Sequence, residues 1–95
     1  MEAKALSYFM NAVREDHRIG TSHISVYVAL FELWHQHHFQ SPLSITRQQV
    51  MQGAKICGLA TYHKCMRDLN DYGYIKYEPS YNPSIQSRVS FRLNG

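Results

Sequence analysis

The sequence predicts an α+β domain, mostly helical and closed by a small antiparallel sheet with a protruding hairpin. Three observations carry that expectation. Apolar residues recur at helical spacing in four stretches before residue 73. Directly after Gly73 the period changes to two, with Ile75 and Tyr77 alternating with Lys76 and Glu78. The breaks between stretches carry turn chemistry at Gly20-Thr21, Ser41-Pro42 and Gly73. At 95 residues the chain makes one domain, near the low end of what folds on its own core.

Within residues 1–18, positions 3–17 read as an amphipathic leader helix. Leu6, Phe9, Met10 and Val13 fall at i, i+3, i+4 and i+7 and form one stripe. That stripe either completes a small core or pairs two copies of the chain as a homodimer. A second helix spans 22–39, introduced by Thr21 or Ser22 as cap. Its apolar residues (Ile24, Val26, Tyr27, Val28, Leu30, Phe31, Leu33, Trp34) cover more than half its circumference, which makes it the central core helix. Pro42 ends it, because the residue before a proline avoids helical geometry.

"PLSI" is a short strand. Thr46 and Gln49 fit a capping box that starts a helix over 46–56 with Val50, Met51 and Ala54 inward. "KICG" makes a turn into a helix over 58–72. There Tyr62, Cys65, Met66, Leu69 and Tyr72 form the inward stripe, and Gly73 is the left-handed cap. Residues 74–93 form the hairpin. Its second strand alternates Val89, Phe91 and Leu93 with Arg88, Ser90 and Arg92, across a loop punctuated by Pro79 and Pro83.

The net charge of +3 is unevenly placed. Residues 1–45 carry three basic against four acidic side chains, and residues 46–95 carry seven against three. A basic half points to a polyanion, of which nucleic acid is the commonest for a cytoplasmic domain. No apolar run approaches the length of a membrane span. The amino-terminal segment has acidic residues on both sides and no cleavable apolar core, so it does not read as a signal peptide. Cys57 and Cys65 sit about 12 Å apart on a helical path, beyond disulfide reach, and are expected as reduced thiols.

From Ile45 to Leu93 the chain resembles a winged helix-turn-helix domain. The carrying stretch is "TYHKCMRDLNDYGYI", in which Thr-hydrophobic opens the helix and a Leu, a bulky residue, Gly, a bulky residue and Ile close it into a sheet. Over nearly its whole length the chain is also similar to small winged-helix proteins carried on mobile elements of Bacteroidetes bacteria. The matching stretches are "HISVYVALFELW", "PLSITRQQVM", "TYHKCMRDLNDYGYIKYEPSYNP" and "SRVSF". One departure is "GLAT", where many relatives are rich in Ser and Arg. The resemblance implies a bacterial DNA-binding factor acting in transcription, replication or element transfer, with no chemistry of its own.

A major groove accepts one α-helix, and the second helix of such a pair projects its amino-terminal half. The outward positions there are Leu59, Ala60, Thr61, His63, Lys64 and Arg67. Arg67 can read a guanine edge with two hydrogen bonds, and Lys64 suits a phosphate. Asp68 and Asp71 are expected to face away or to pair with Arg67 or Arg92. Arg47, in the first turn of the preceding helix, suits an anion. In the wing Tyr81, Asn82, Ser84, Gln86 and Arg88 offer polar contacts to backbone or minor groove.

Other constellations are weaker. His35, His37 and His38, with His17 and His23 nearby, lack a well-spaced Cys or carboxylate to complete a zinc site. Cys57, His63 and Cys65 evoke a knuckle or a thiol nucleophile, but Cys65 lies on the inward stripe. No glycine-rich phosphate loop, paired-carboxylate site or Ser/His/Asp arrangement stands out. The expectation is a binding domain without cofactor or metal. The same fold can instead dock a protein partner.

Overall fold

The structure is a computed structural model that describes residues 3–82 and 85–92. It is a small α+β protein. Its elements are α1 (Ala3–Val13), α2 (Thr21–Gln36), β1 (Leu43–Ile45), α3 (Arg47–Ala54), α4 (Leu59–Asp71), β2 (Ile75–Glu78) and β3 (Ser87–Phe91). The three strands form one antiparallel sheet in the order β1-β3-β2. Leu93 and Ser84 lie outside the described residues.

Two helices stop earlier than their apolar patterns suggest, for local reasons. α1 ends at Val13, not near residue 17, because Glu15 and Asp16 donate their N–H groups to Ala12 and Val13 in a turn. α2 ends at Gln36, well before Pro42. His38 and Phe39 take left-handed backbone, and the Phe39 N–H closes back on the Trp34 carbonyl at 2.8 Å. The same paired closure ends α3, with Lys55 left-handed at φ 61° and Ile56 N–H on the Met51 carbonyl. It also ends α4, with Gly73 at φ 87° and Tyr74 N–H on the Leu69 carbonyl. This double hydrogen bond satisfies carbonyls that a helix end leaves open.

The sheet turns Leu43, Ile45, Ile75, Tyr77, Val89 and Phe91 to one side, as register partners Leu43↔Val89, Ile75↔Phe91 and Tyr77↔Val89 require. That side meets α2 and α4 around a core in which Val26, Leu30, Ile45, Val50, Met66, Leu69 and Ile75 are fully buried. Aromatic rings fill the rest. Phe9 of α1 stacks on Tyr27 at 3.8 Å and meets the edge of Tyr74 at 5.2 Å, while Trp34 stacks on Phe91 at 4.4 Å. The Tyr27 hydroxyl donates to the Ala5 carbonyl at 3.0 Å. α1 is therefore part of the core. Phe9 and Ala5 are wholly buried, so Phe9 has no surface left for the homodimer the sequence allowed. Leu6 and Val13 pack half-buried, and Met10 alone of that stripe is exposed.

Candidate nucleic-acid interface

α3 and α4, joined by a short turn, both pack on α2, and α4 leads into the β2–β3 hairpin and packs on β2. α3 begins as expected from its sequence. The Thr46 hydroxyl accepts the Gln49 N–H, and the Gln49 side chain accepts the Thr46 N–H. Arg47 therefore sits exposed in the first turn, where free backbone N–H groups and the helix dipole favour an anion. α4 starts at Gly58 without a side-chain cap. It buries Tyr62, Cys65, Met66 and Leu69, and Tyr72 is half-buried. Burial pushes the Cys65 thiol up, which suits a packed rather than a reactive sulfur, while Cys57 is exposed in the turn.

The outward side of α4 holds Leu59, Ala60, Thr61, His63, Lys64 and Arg67, all exposed. Its flanks differ. His63, Arg67 and Asn70 face a cleft of about 880 Å³ between α4 and the hairpin. The far wall is Tyr77, Pro79 to Asn82 and Ile85 to Ser87, and Thr46 and Arg47 close one end. Tyr62 lines the cleft from the core. Burial raises its hydroxyl well above the usual tyrosine range, with Tyr77 adding to that and the nearby Arg47 opposing it. The loop between β2 and β3 is pinned across its base by Ser80 N–H on Ser87 Oγ at 3.1 Å, and Asn70 Oδ1 accepts the Tyr77 N–H at 2.9 Å. Leu59, Tyr81 and Ile85 are among the exposed large apolar residues, Tyr81 at 93%. Leu59 also lines a shallower hollow with Arg47, Gln48, Met51 and Gln52.

On the other flank of α4, Lys64 and Asp68 turn toward α2. Asp68 Oδ2 accepts Lys64 Nζ at 2.7 Å and His23 Nε2 at 2.8 Å. These two bonds, Lys64 first, hold the Asp68 carboxyl below its ordinary value, and the same pair raises the Lys64 ammonium. Asp68 thus pairs with Lys64 and His23, not with Arg67 or Arg92, because its side chain packs into the α2–α4 seam. Asp71 accepts from Asn70 Nδ2 at 3.3 Å.

The structure brings Arg47, His63, Arg67, Tyr81 and Asn82 to one cleft; Leu59, Ala60, Thr61 and Lys64 are exposed on α4 but do not line it, and Lys64 lies on the flank toward α2. The structure does not bring Arg88 to the cleft. Strand alternation puts Arg88 on the opposite face of the sheet, as register partner of Glu78 and Ser44. Sequence reasoning missed Asn70, Tyr77 and Ile85 as cleft residues. It also left His23 within a histidine cluster, although the partner of His23 lies 45 residues away. Among the described residues no group of three or more His, Cys, Asp or Glu converges as metal ligands, and no helix is long and apolar enough to cross a membrane. Compared with protein-family models, curated proteins and solved structures, the chain matches none.

Proposed function

We propose that the chain is a winged helix-turn-helix domain that binds double-stranded DNA. In this reading α3 and α4 are the helix pair, α4 enters the major groove, and the β2–β3 hairpin is the wing against backbone or minor groove. The observation that carries it is the solvent-facing side of α4. Arg67 and His63 are exposed beside a cleft that Arg47 and the hairpin also line. Arg67 makes no ion pair among the described residues, so its guanidinium is available for a guanine edge. Arg47 supplies a phosphate contact at the start of α3. Such a domain acts by occupying a site and excluding or recruiting other proteins, as a regulator or accessory factor in transcription, replication or element transfer.

Fluorescence anisotropy with random duplex DNA tests this directly. Weak binding in the range of about 10⁻⁴–10⁻⁶ M is expected near physiological salt, tightening as salt is lowered. If about four to six phosphates are neutralised, log K against log[salt] falls with a slope of about −4 to −5. A second reading, a module that docks a protein, is favoured by the exposed Leu59, Tyr81 and Ile85 on this same face. Absence of any duplex binding at low salt decides for it.

A further inference from the structure

We infer that Asp68 is an internal competitor for the Lys64 ammonium, and that it sets how strongly α4 attracts DNA phosphates. The inference rests on the DNA-binding reading and concerns the control of that same surface.

Most i,i+4 pairs on a helix surface involve two mobile side chains and decide little. Here the two partners differ. The Lys64 side chain is 63% exposed, and that of Asp68 only 13%. Asp68 is also held from behind. The Gly20 N–H donates to His23 Nδ1 at 3.0 Å, which makes Nδ1 the acceptor and assigns the ring proton to Nε2. The Nε2–H then donates to Asp68 Oδ2, the oxygen that also receives Lys64. The carboxylate is therefore a fixed anion, anchored through His23 to the start of α2, and the lysine is the part that moves.

A phosphate approaching α4 competes with that fixed anion. Lysine is a point charge on a flexible stem, so it can swing from one oxygen to another with little rearrangement. While Asp68 keeps the ammonium, the DNA phosphate it would neutralise retains its condensed cations, so fewer leave the duplex on binding. The consequence is selective. Asp68 trims the sequence-independent attraction at Lys64 and leaves Arg67, one turn on, free for base edges. Affinity then falls alike on every sequence and the preference set by Arg67 is unchanged, because a phosphate contact carries no base information.

A double-mutant cycle tests this on the full chain: wild type, K64Q, D68N and K64Q/D68N, each titrated with duplex DNA across salt concentrations. Asparagine keeps the volume of Asp68 and an oxygen for the His23 N–H. D68N is expected to bind about 3–8-fold more tightly near 0.1 M salt, with a slope steeper by about 1, the value of one released phosphate contact. In the K64Q background the same change is expected to give less than about twofold, since the lysine it acts through is gone. D71N, which removes the same charge from an exposed neighbouring turn, measures the general field effect and should be alike in both backgrounds. An equal gain from D68N with and without Lys64, or no gain, overturns the inference while DNA binding stands. If none of the proteins binds duplex, the DNA reading fails and takes this one with it. Should D68N not fold, the side-chain ammonium resonance of Lys64 in wild-type protein gives the answer. It should shift on DNA addition as the carboxylate partner is exchanged for phosphate, and an unmoved signal overturns the proposal.

Discussion

The two ends of α4 are built on different terms. The carboxyl end is tied to its neighbours by several hydrogen bonds. Gly73 and Tyr74 close the helix, and Asn70 reaches across to the Tyr77 N–H. The loop after α1 clamps the same place: Asp16 takes the Tyr74 hydroxyl at 2.7 Å and both side-chain and backbone groups of Arg18, whose guanidinium lies 3.9 Å over the Tyr72 ring. At the amino end Gly58 offers no side-chain cap, and Leu59, Ala60, Thr61 and His63 face solvent. The difference teaches how a small domain presents a helix. Direction is fixed at the carboxyl end, so the amino end can leave its side chains unpaired without losing its aim.

That contrast can be broken from the anchored side. Phe9→Ala removes the ring that joins α1 to Tyr27 and Tyr74, and a fully buried Phe→Ala change costs about 3–5 kcal/mol. Urea denaturation should show that loss, and a loss below about 1 kcal/mol would make α1 an appendage instead of part of the anchor. The presented side is sharpened by Arg67→Ala. It should weaken binding to a selected DNA site by about 1–3 kcal/mol, relax preference at one base pair and leave the urea midpoint unchanged. An equal loss on every sequence would reassign Arg67 to a phosphate.

The smallest effect concerns acid. Arg18, then Tyr74, hold the Asp16 carboxyl well below the usual carboxylate range, and burial with the adjacent carboxylate pushes the Tyr74 hydroxyl up to about 12. The folded value of Asp16 is lower than the unfolded one of about 3.9, so its contribution is complete above that pH. It fades as pH falls toward the folded value. Asp16→Asn should therefore lower the melting temperature by about 5 °C at neutral pH. The variant should also lose less stability than wild type between about pH 4 and 2. Parallel acid curves for the two proteins would show that the clamp contributes nothing.

How much of this was legible beforehand depended on whether the signal was local. The capping box at Thr46 and Gln49 was readable because both partners lie within one turn, and the left-handed Gly73 because glycine itself advertises that backbone. His38 and Lys55 adopt the same left-handed geometry without glycine, so the apolar pattern carries α2 past its end at Gln36, and the KICG turn is legible without its left-handed residue. The cleft was half legible. Arg47, His63 and Arg67 follow from helical spacing, whereas Asn70, Tyr77 and Ile85 join them only once the hairpin folds back.

By itself the sequence determined four amphipathic stripes, the change of period at Gly73 and the basic second half, since each is a pattern among neighbours. Tertiary structure alone decided which charges are free and which are held. Asp68 finds His23 across 45 residues and Asp16 finds Tyr74 across 58, pairings set by how α2 and the α1–α2 loop pack on α4. A charge's availability depends on what is within about 4 Å of it, and spacing along the chain does not encode that distance between elements.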